Sequence, residues 1–356
     1  MLTSVQCIKE LRDKAADFEN SKIVSIFDAE IEVAKSDSIV PESLSACLKT
    51  AVRPLEDVPD HQKDWHPGSD GKVLDLVHPS LFPMVYGRSR VLPRDKVPLY
   101  GCEEYIGSGD TYALPNQSPD RDIFALGTTQ WLPSDVVWTS SGGARIASYV
   151  NNLHPDDHAE LYGVLEQFVV SAVPLWERCL YTSPSKDPAE DGDEMQPRES
   201  RFSLHSQGYE EDFYLPEGVE YVPPARAKEE NWDEYDIEDD RFEWRRQYHI
   251  LKWPEPNDYD PSRPRPAEAR PNLRSMFPDG LQVIFKLANI HLSPSNPKYD
   301  GGSLHIEGAL NDRIVATALH YYDCDNITES VLSLKQPVDS IKVIRLPPQD
   351  EFEAGE

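Results

Sequence analysis

His305 and Glu307 stand one residue apart in the stretch Tyr299-Asp300-Gly301-Gly302-Ser303-Leu304-His305-Ile306-Glu307-Gly308. Side chains on an extended backbone alternate with period two, so this imidazole and carboxylate project to the same side and suit a single metal ion. With a second histidine the pair makes the 2-His-1-carboxylate face used for non-haem Fe(II), which leaves positions open for a co-substrate and oxygen. His320, 13 residues beyond Glu307, is the first candidate for that third ligand, and His291, 14 residues before His305, is the second. A polar pair after a Gly-Gly turn is the plainer reading of the motif, and a satisfied core or strand-edge histidine is the plainer reading of His320 and His291. Zinc suits the same ligand types, so a zinc-dependent hydrolase is a further expectation; Ser303 does not make a serine hydrolase, because no Gly-x-Ser-x-Gly elbow is present.

Two cations are candidates for holding an acidic co-substrate. Lys286 lies in an otherwise apolar run, where an unpaired ammonium is costly; it snorkels, pairs with an acid or meets a ligand carboxylate. Arg313 offers the same chemistry, with Asp312 and Glu307 as simpler partners. His66, His78 and His154 each precede a proline, match no metal-motif spacing and read as loop anchors.

The elements that must position these residues follow from hydrophobic period. Val5, Ile8, Leu11, Ala15 and Phe18 recur at three- and four-residue steps, which predicts an amphipathic helix from Thr3 to Phe18. Ile23, Ile26, Phe27, Ile31 and Ala34 fit a second helix, and Pro41-Glu42 opens a third through Lys49. Prolines between Arg53 and Tyr100 predict irregular chain there. Residues near Trp131 and Val136 to Trp138 read as a short strand or edge, and Arg145 to Val150 as another. The clearest helix has Pro155 in its first turn and Leu161, Val164, Leu165, Phe168 and Val169 on one face, with Pro174 kinking it. Thr182 to Asn272 is rich in Pro, Asp and Glu and reads as solvated chain, although aromatic residues from Trp232 to Trp253 argue that its middle wraps the core. Leu281 to Leu292 and Arg313 to Asp323 read as strands buried on both faces, with Val331 to Leu334 and Ile341 to Leu346 supplying two more.

The chain thus divides into a helical and irregular part, 1–180, an acidic Pro-rich segment, 181–272, a β-rich core, 273–348, and an acidic tail, 349–356, together one composite α+β domain. The 63 Asp plus Glu against 35 Lys plus Arg give a net charge of −28, and no basic stripe is present, which argues against nucleic acid. No apolar run approaches the ~18 residues of a membrane span, and no leader pattern opens the chain, so a soluble, cytoplasmic protein is expected, with the nucleus also open to it. Five scattered cysteines without CxxC spacing indicate neither a disulfide framework nor a zinc ribbon.

The segments Asp64-Trp65-His66-Pro67-Gly68, Leu76-Val77-His78-Pro79-Ser80-Leu81-Phe82-Pro83, Ser148-Tyr149-Val150-Asn151-Asn152-Leu153-His154-Pro155 and Gly301-Gly302-Ser303-Leu304-His305-Ile306-Glu307-Gly308 together resemble a fungal family of uncharacterised proteins carrying a domain of unknown function. Some of its members look like Fe(II)/2-oxoglutarate-dependent oxygenases. The resemblance implies that His305 and Glu307 are metal ligands on a double-stranded β-helix, the jelly-roll or cupin-like core, with Fe(II) and 2-oxoglutarate as cofactors and an unidentified small-molecule or protein substrate. It also implies a distal His and a basic residue on later strands. Nothing after Ile341 matches them, which makes a truncated derivative one expectation: a non-catalytic interaction protein that self-associates through uncovered strand edges.

Overall fold

The computed structural model describes residues 2–27, 32–93, 96–113, 128–180, 213–214, 218–248, 250–251 and 271–334. They form a mixed α/β arrangement whose sheets are small, antiparallel and, among the described residues, never closed into a barrel. Two three-stranded sheets dominate. In one, Ser134–Trp138 runs between Ala144–Ile146 and Leu281–Val283; in the other, Val73–Val77 runs between Leu287–Ile290 and Asp64–Trp65.

Two helices cover this frame. Glu42–Ala51 follows Pro41, whose fixed φ of −62° suits a helix entry, and carries Glu42 in its first turn and Lys49 in its last, both matched to the helix dipole. Leu44, Leu48 and Ala51 fall on one face and are buried. They pack against the long helix Ala159–Cys179, which buries Leu161, Val164, Leu165 and Val169. Each fully buried aliphatic side chain of this interface stabilises the fold by about 1.5–3 kcal/mol relative to exposure. The helix starts four residues beyond Pro155 and runs through Pro174, so that proline does not end it. The loop before it is clamped from inside: the Tyr162 hydroxyl donates to the carbonyl of Leu153 and accepts the N–H of Val150, both at 2.9 Å. Burial pushes that phenol's pKa up.

Several sequence expectations are corrected. The expected second helix is a β-hairpin, Val24–Phe27 against Glu32–Lys35; Val24, Ile26 and Val33 are β-branched, which suits a strand, and the pairing of the two segments fixes it. The chain from Arg53 to Tyr100 is not merely irregular, because Val73–Val77 is buried at every position and forms the centre of a sheet. Within the acidic segment Glu234–Tyr248 is helical. The apolar run from Leu281 splits into two short strands that join different sheets. Arg313 to Asp323 and Val331 to Leu334 form no strand: among the described residues no backbone hydrogen bond engages 314–334, and Val315 is 79% exposed. A run apolar on both faces makes a strand only when neighbours pair with its edges. Ile341 to Leu346 lies outside the described residues.

The helix Leu2–Ser21 forms as expected, yet Val5, Ile8, Leu11 and Phe18 stay substantially exposed. No helix among the described residues is long and apolar enough to cross a membrane.

Candidate functional site

His305 and Glu307 converge as their spacing predicts. Nε2 of His305 lies 3.3 Å from Oε1 of Glu307, and Nδ1 lies 2.8 Å from the carbonyl oxygen of Ser303. That carbonyl can only accept, so Nδ1 carries a proton. In the neutral imidazole the Nε2 lone pair then faces a carboxylate lone pair. Such an arrangement needs a second proton on the ring or a cation between the two atoms. A carbonyl holding Nδ1–H is also the usual outer-shell device that orients a metal-binding histidine. Donors bonded at about 2.1 Å to neighbouring octahedral positions stand about 3 Å apart, so the 3.3 Å separation fits two adjacent ligand sites.

The segment is anchored at its far end. Asn311 and Asp312 dock on the Thr129–Gln130 strand and the residue after it: Asn311 Nδ2 donates to the Thr129 carbonyl at 2.9 Å, and Asp312 Oδ1 accepts the N–H of Trp131 at 2.8 Å. The pair itself is open, with the side chains of His305 and Glu307 59% and 35% exposed.

The other predicted site residues lie elsewhere or face solvent. His320 is held by Ser45, Nε2 to Oγ at 3.0 Å, with its ring 5.0 Å from that of Phe168. His291 packs edge-on to Trp65. Lys286 is exposed and stands within electrostatic reach of His78, whose protonation it opposes. Arg313 is exposed and closes the short turn Leu310–Asp312 in the left-handed conformation, at φ 52°. Among the described residues no third His, Cys, Asp or Glu completes a three-ligand cluster with His305 and Glu307.

A second constellation does have three members. His66, Asp75 and His78 each offer a ligand atom within 4.8 Å of the others. The hairpin of Asp64–Trp65 and Val73–Val77 builds it: Asp64 stands opposite Asp75, and the His66 N–H donates to the Val73 carbonyl, which sets His66 diagonal to Asp75 on the same face. Asp75 is 8% exposed and His78 9%. His66 Nδ1 donates to Asp75 Oδ2 at 2.8 Å, whereas Asp75 Oδ1 is buried and meets no partner among the described residues. Burial holds the His78 imidazole below its ordinary pKa, the fields of Lys286 and His66 adding to the shift and those of Asp75 and Asp64 opposing it. The Trp131 ring stands edge-on to His78 at 6.3 Å, so one residue links this cluster to the Asp312 anchor.

Sequence reading assigns His66 and His78 to loops because of their prolines. The available signal is the run Val73-Leu74-Asp75-Leu76-Val77, a lone carboxylate inside a wholly apolar strand with a histidine beyond each end. A second group, Cys102, Glu103 and His154, also meets the distance condition, but burial and Glu103 raise the Cys102 thiol's pKa, which disfavours the thiolate a metal needs.

An antiparallel α/β frame carrying two His–carboxylate constellations is therefore the class of molecule at hand. The family model described as Protein of unknown function (DUF4246) matches residues 3–354, and the chain belongs to that family. No curated protein and no solved structure matches it.

Proposed function

We propose that the chain is a metal-binding protein of the non-haem Fe(II)/2-oxoglutarate oxygenase-like kind, or a derivative of such an enzyme, with His305 and Glu307 as two of the metal ligands. The observation that carries the reading is the facing of His305 Nε2 and Glu307 Oε1 at 3.3 Å, with Nδ1 fixed by the Ser303 carbonyl. At the His305–Glu307 pair the described residues supply two ligand positions and no third. The jelly-roll core and 2-oxoglutarate follow from the family resemblance, and the roles of Lys286 and Arg313 toward an acidic co-substrate follow from their charge.

Anaerobic Fe(II) titration of the chain and of His305→Ala, followed by an assay for 2-oxoglutarate turnover, tests the proposal. A lower iron stoichiometry or weaker binding in the variant supports it, and unchanged stoichiometry and affinity together remove His305 from any site. Turnover that requires zinc in place of iron would move the assignment to a hydrolase.

A second reading is favoured by the exposure of Leu304, Ile306, Val315, Leu319 and Tyr321, which make no backbone hydrogen bond among the described residues. Uncovered apolar chain of this kind is adhesive. In this reading the chain is a non-catalytic interaction protein that pairs with a second copy of itself. A dimeric mass by light scattering in the absence of metal, converted to monomer by Val315→Lys, supports it; a monomer at all concentrations rules it out.

A further inference from the structure

We infer that His66, Asp75 and His78 form a divalent transition-metal site distinct from the His305–Glu307 pair. Two imidazoles and one carboxylate are the donor types that borderline ions such as zinc or ferrous iron take. Their ligand atoms already lie within 4.8 Å of one another. Bonds of about 2.0–2.2 Å place donors roughly 3–3.5 Å apart, so side-chain adjustments on the scale of 1 Å close the cluster on an ion.

The independent sign of a ligand is Asp75. It is 8% exposed on the central strand of its sheet, and Oδ1 has no hydrogen-bond partner among the described residues. A buried, half-satisfied carboxylate costs stability unless something cationic meets it. His66 satisfies only Oδ2, through Nδ1 at 2.8 Å; ligation beside Asp75 moves that proton to Nε2 and turns the Nδ1 lone pair to the ion. The His66 side chain is 40% exposed, which gives an ion a way in. His78 is the buried third donor. Its Nδ1 accepts the N–H of Ser80 at 3.2 Å, so ligation through Nε2 moves a proton to Nδ1 and gives up that contact. The Ser69 hydroxyl, in the turn that follows His66, is a second buried oxygen without a partner among the described residues. Asp64 adds negative charge nearby, and the Lys286 ammonium opposes it.

The experiment is titration of the full chain with Zn(II) by calorimetry and with Co(II) by visible absorption. It compares the unaltered protein with Asp75→Asn, His66→Gln and His305→Ala, each checked for fold by circular dichroism. The expected result is that His305→Ala keeps a site with the Co(II) spectrum of bound imidazole, while Asp75→Asn and His66→Gln each weaken it by about 10–100-fold or more. Unchanged affinity and spectrum in folded His66→Gln would overturn the inference, even if Asp75→Asn failed to fold. Loss of all binding in folded His305→Ala would overturn it too. Because the two constellations are removed by different substitutions, failure of one assignment is separable from failure of the other.

Discussion

Nε2 of His320 lies 3.0 Å from the Ser45 hydroxyl, joining two residues 275 positions apart. The contact ties the chain beyond the His305–Glu307 pair to the helix Glu42–Ala51, and Phe168 of the long helix flanks the same ring. It engages Nε2, one of the two ring nitrogens that can bind a metal, and holds the ring against these helices. His320→Ala is therefore expected to leave Fe(II) affinity within about twofold, whereas Glu307→Gln, which removes a ligand charge, weakens it by about tenfold or more. Parallel anaerobic titrations of the two variants check this, and a large loss in His320→Ala would restore that histidine to the site.

Acid should unfold the protein early. Burial is the main cause that lowers the pKa of His78, His158 and His320 below the ordinary 6.5. The unfolded chain takes up protons at these positions near pH 6.5, where the folded chain does not. Stability is thus fully present above that value and falls as pH drops through the folded-state values. Urea midpoints measured at pH 7.5 and 5.5 should show the lower midpoint at 5.5. Replacing His158 with Gln should shrink the difference.

Tyr162→Phe should cost about 1–3 kcal/mol, the penalty for leaving buried polar groups unpaired. The lost hydroxyl serves both the Val150 N–H and the Leu153 carbonyl. Chemical denaturation reads the change, and the near-UV bands of Trp138 and Trp176, which pack against the same core, should be kept.

Gly280→Ala should be among the most damaging small substitutions. Gly280 has φ 116°, and a Cβ there would lie 2.0 Å from the Val136 carbonyl oxygen. Backbone strain alone is on the order of 1–3 kcal/mol, and the clash displaces the start of the Leu281–Val283 strand. A melting temperature equal to that of the unaltered protein would contradict this.

Metal should stabilise the folded chain if His66, Asp75 and His78 hold it. At Zn(II) concentrations about 100 times the dissociation constant the gain is about 2.7 kcal/mol. Differential scanning fluorimetry should show a rise in melting temperature that Asp75→Asn abolishes.

The legible parts of this molecule are those set by local period. The spacing of Leu44, Leu48 and Ala51, or of Leu161, Val164 and Leu165, is enough to place a helix and its buried face. The convergence of His305 and Glu307 follows from a separation of two residues. The cluster at Asp75 was hidden because it depends on pairing: His66 reaches Asp75 only once Asp64 is registered against Asp75, and register is not written in the prolines that flank the hairpin. Residues 24–35 misled for a related reason, since Ile and Val at mixed spacings satisfy either period and the hairpin decided between them. The run from Leu281 has strand composition throughout, yet its division between two sheets depends on which edges it meets.

That division has a mechanical consequence. Residues 281–283 bond to Ser134–Trp138, and 287–290 bond to Val73–Val77 across an irregularity between Leu287 and Ala288. Three intervening residues are a tether too short to let one sheet open while the other stays shut. The amides of Val136 and Leu74, in separate sheets and far apart in the chain, should therefore surrender their protons to deuterated solvent in a single cooperative opening event.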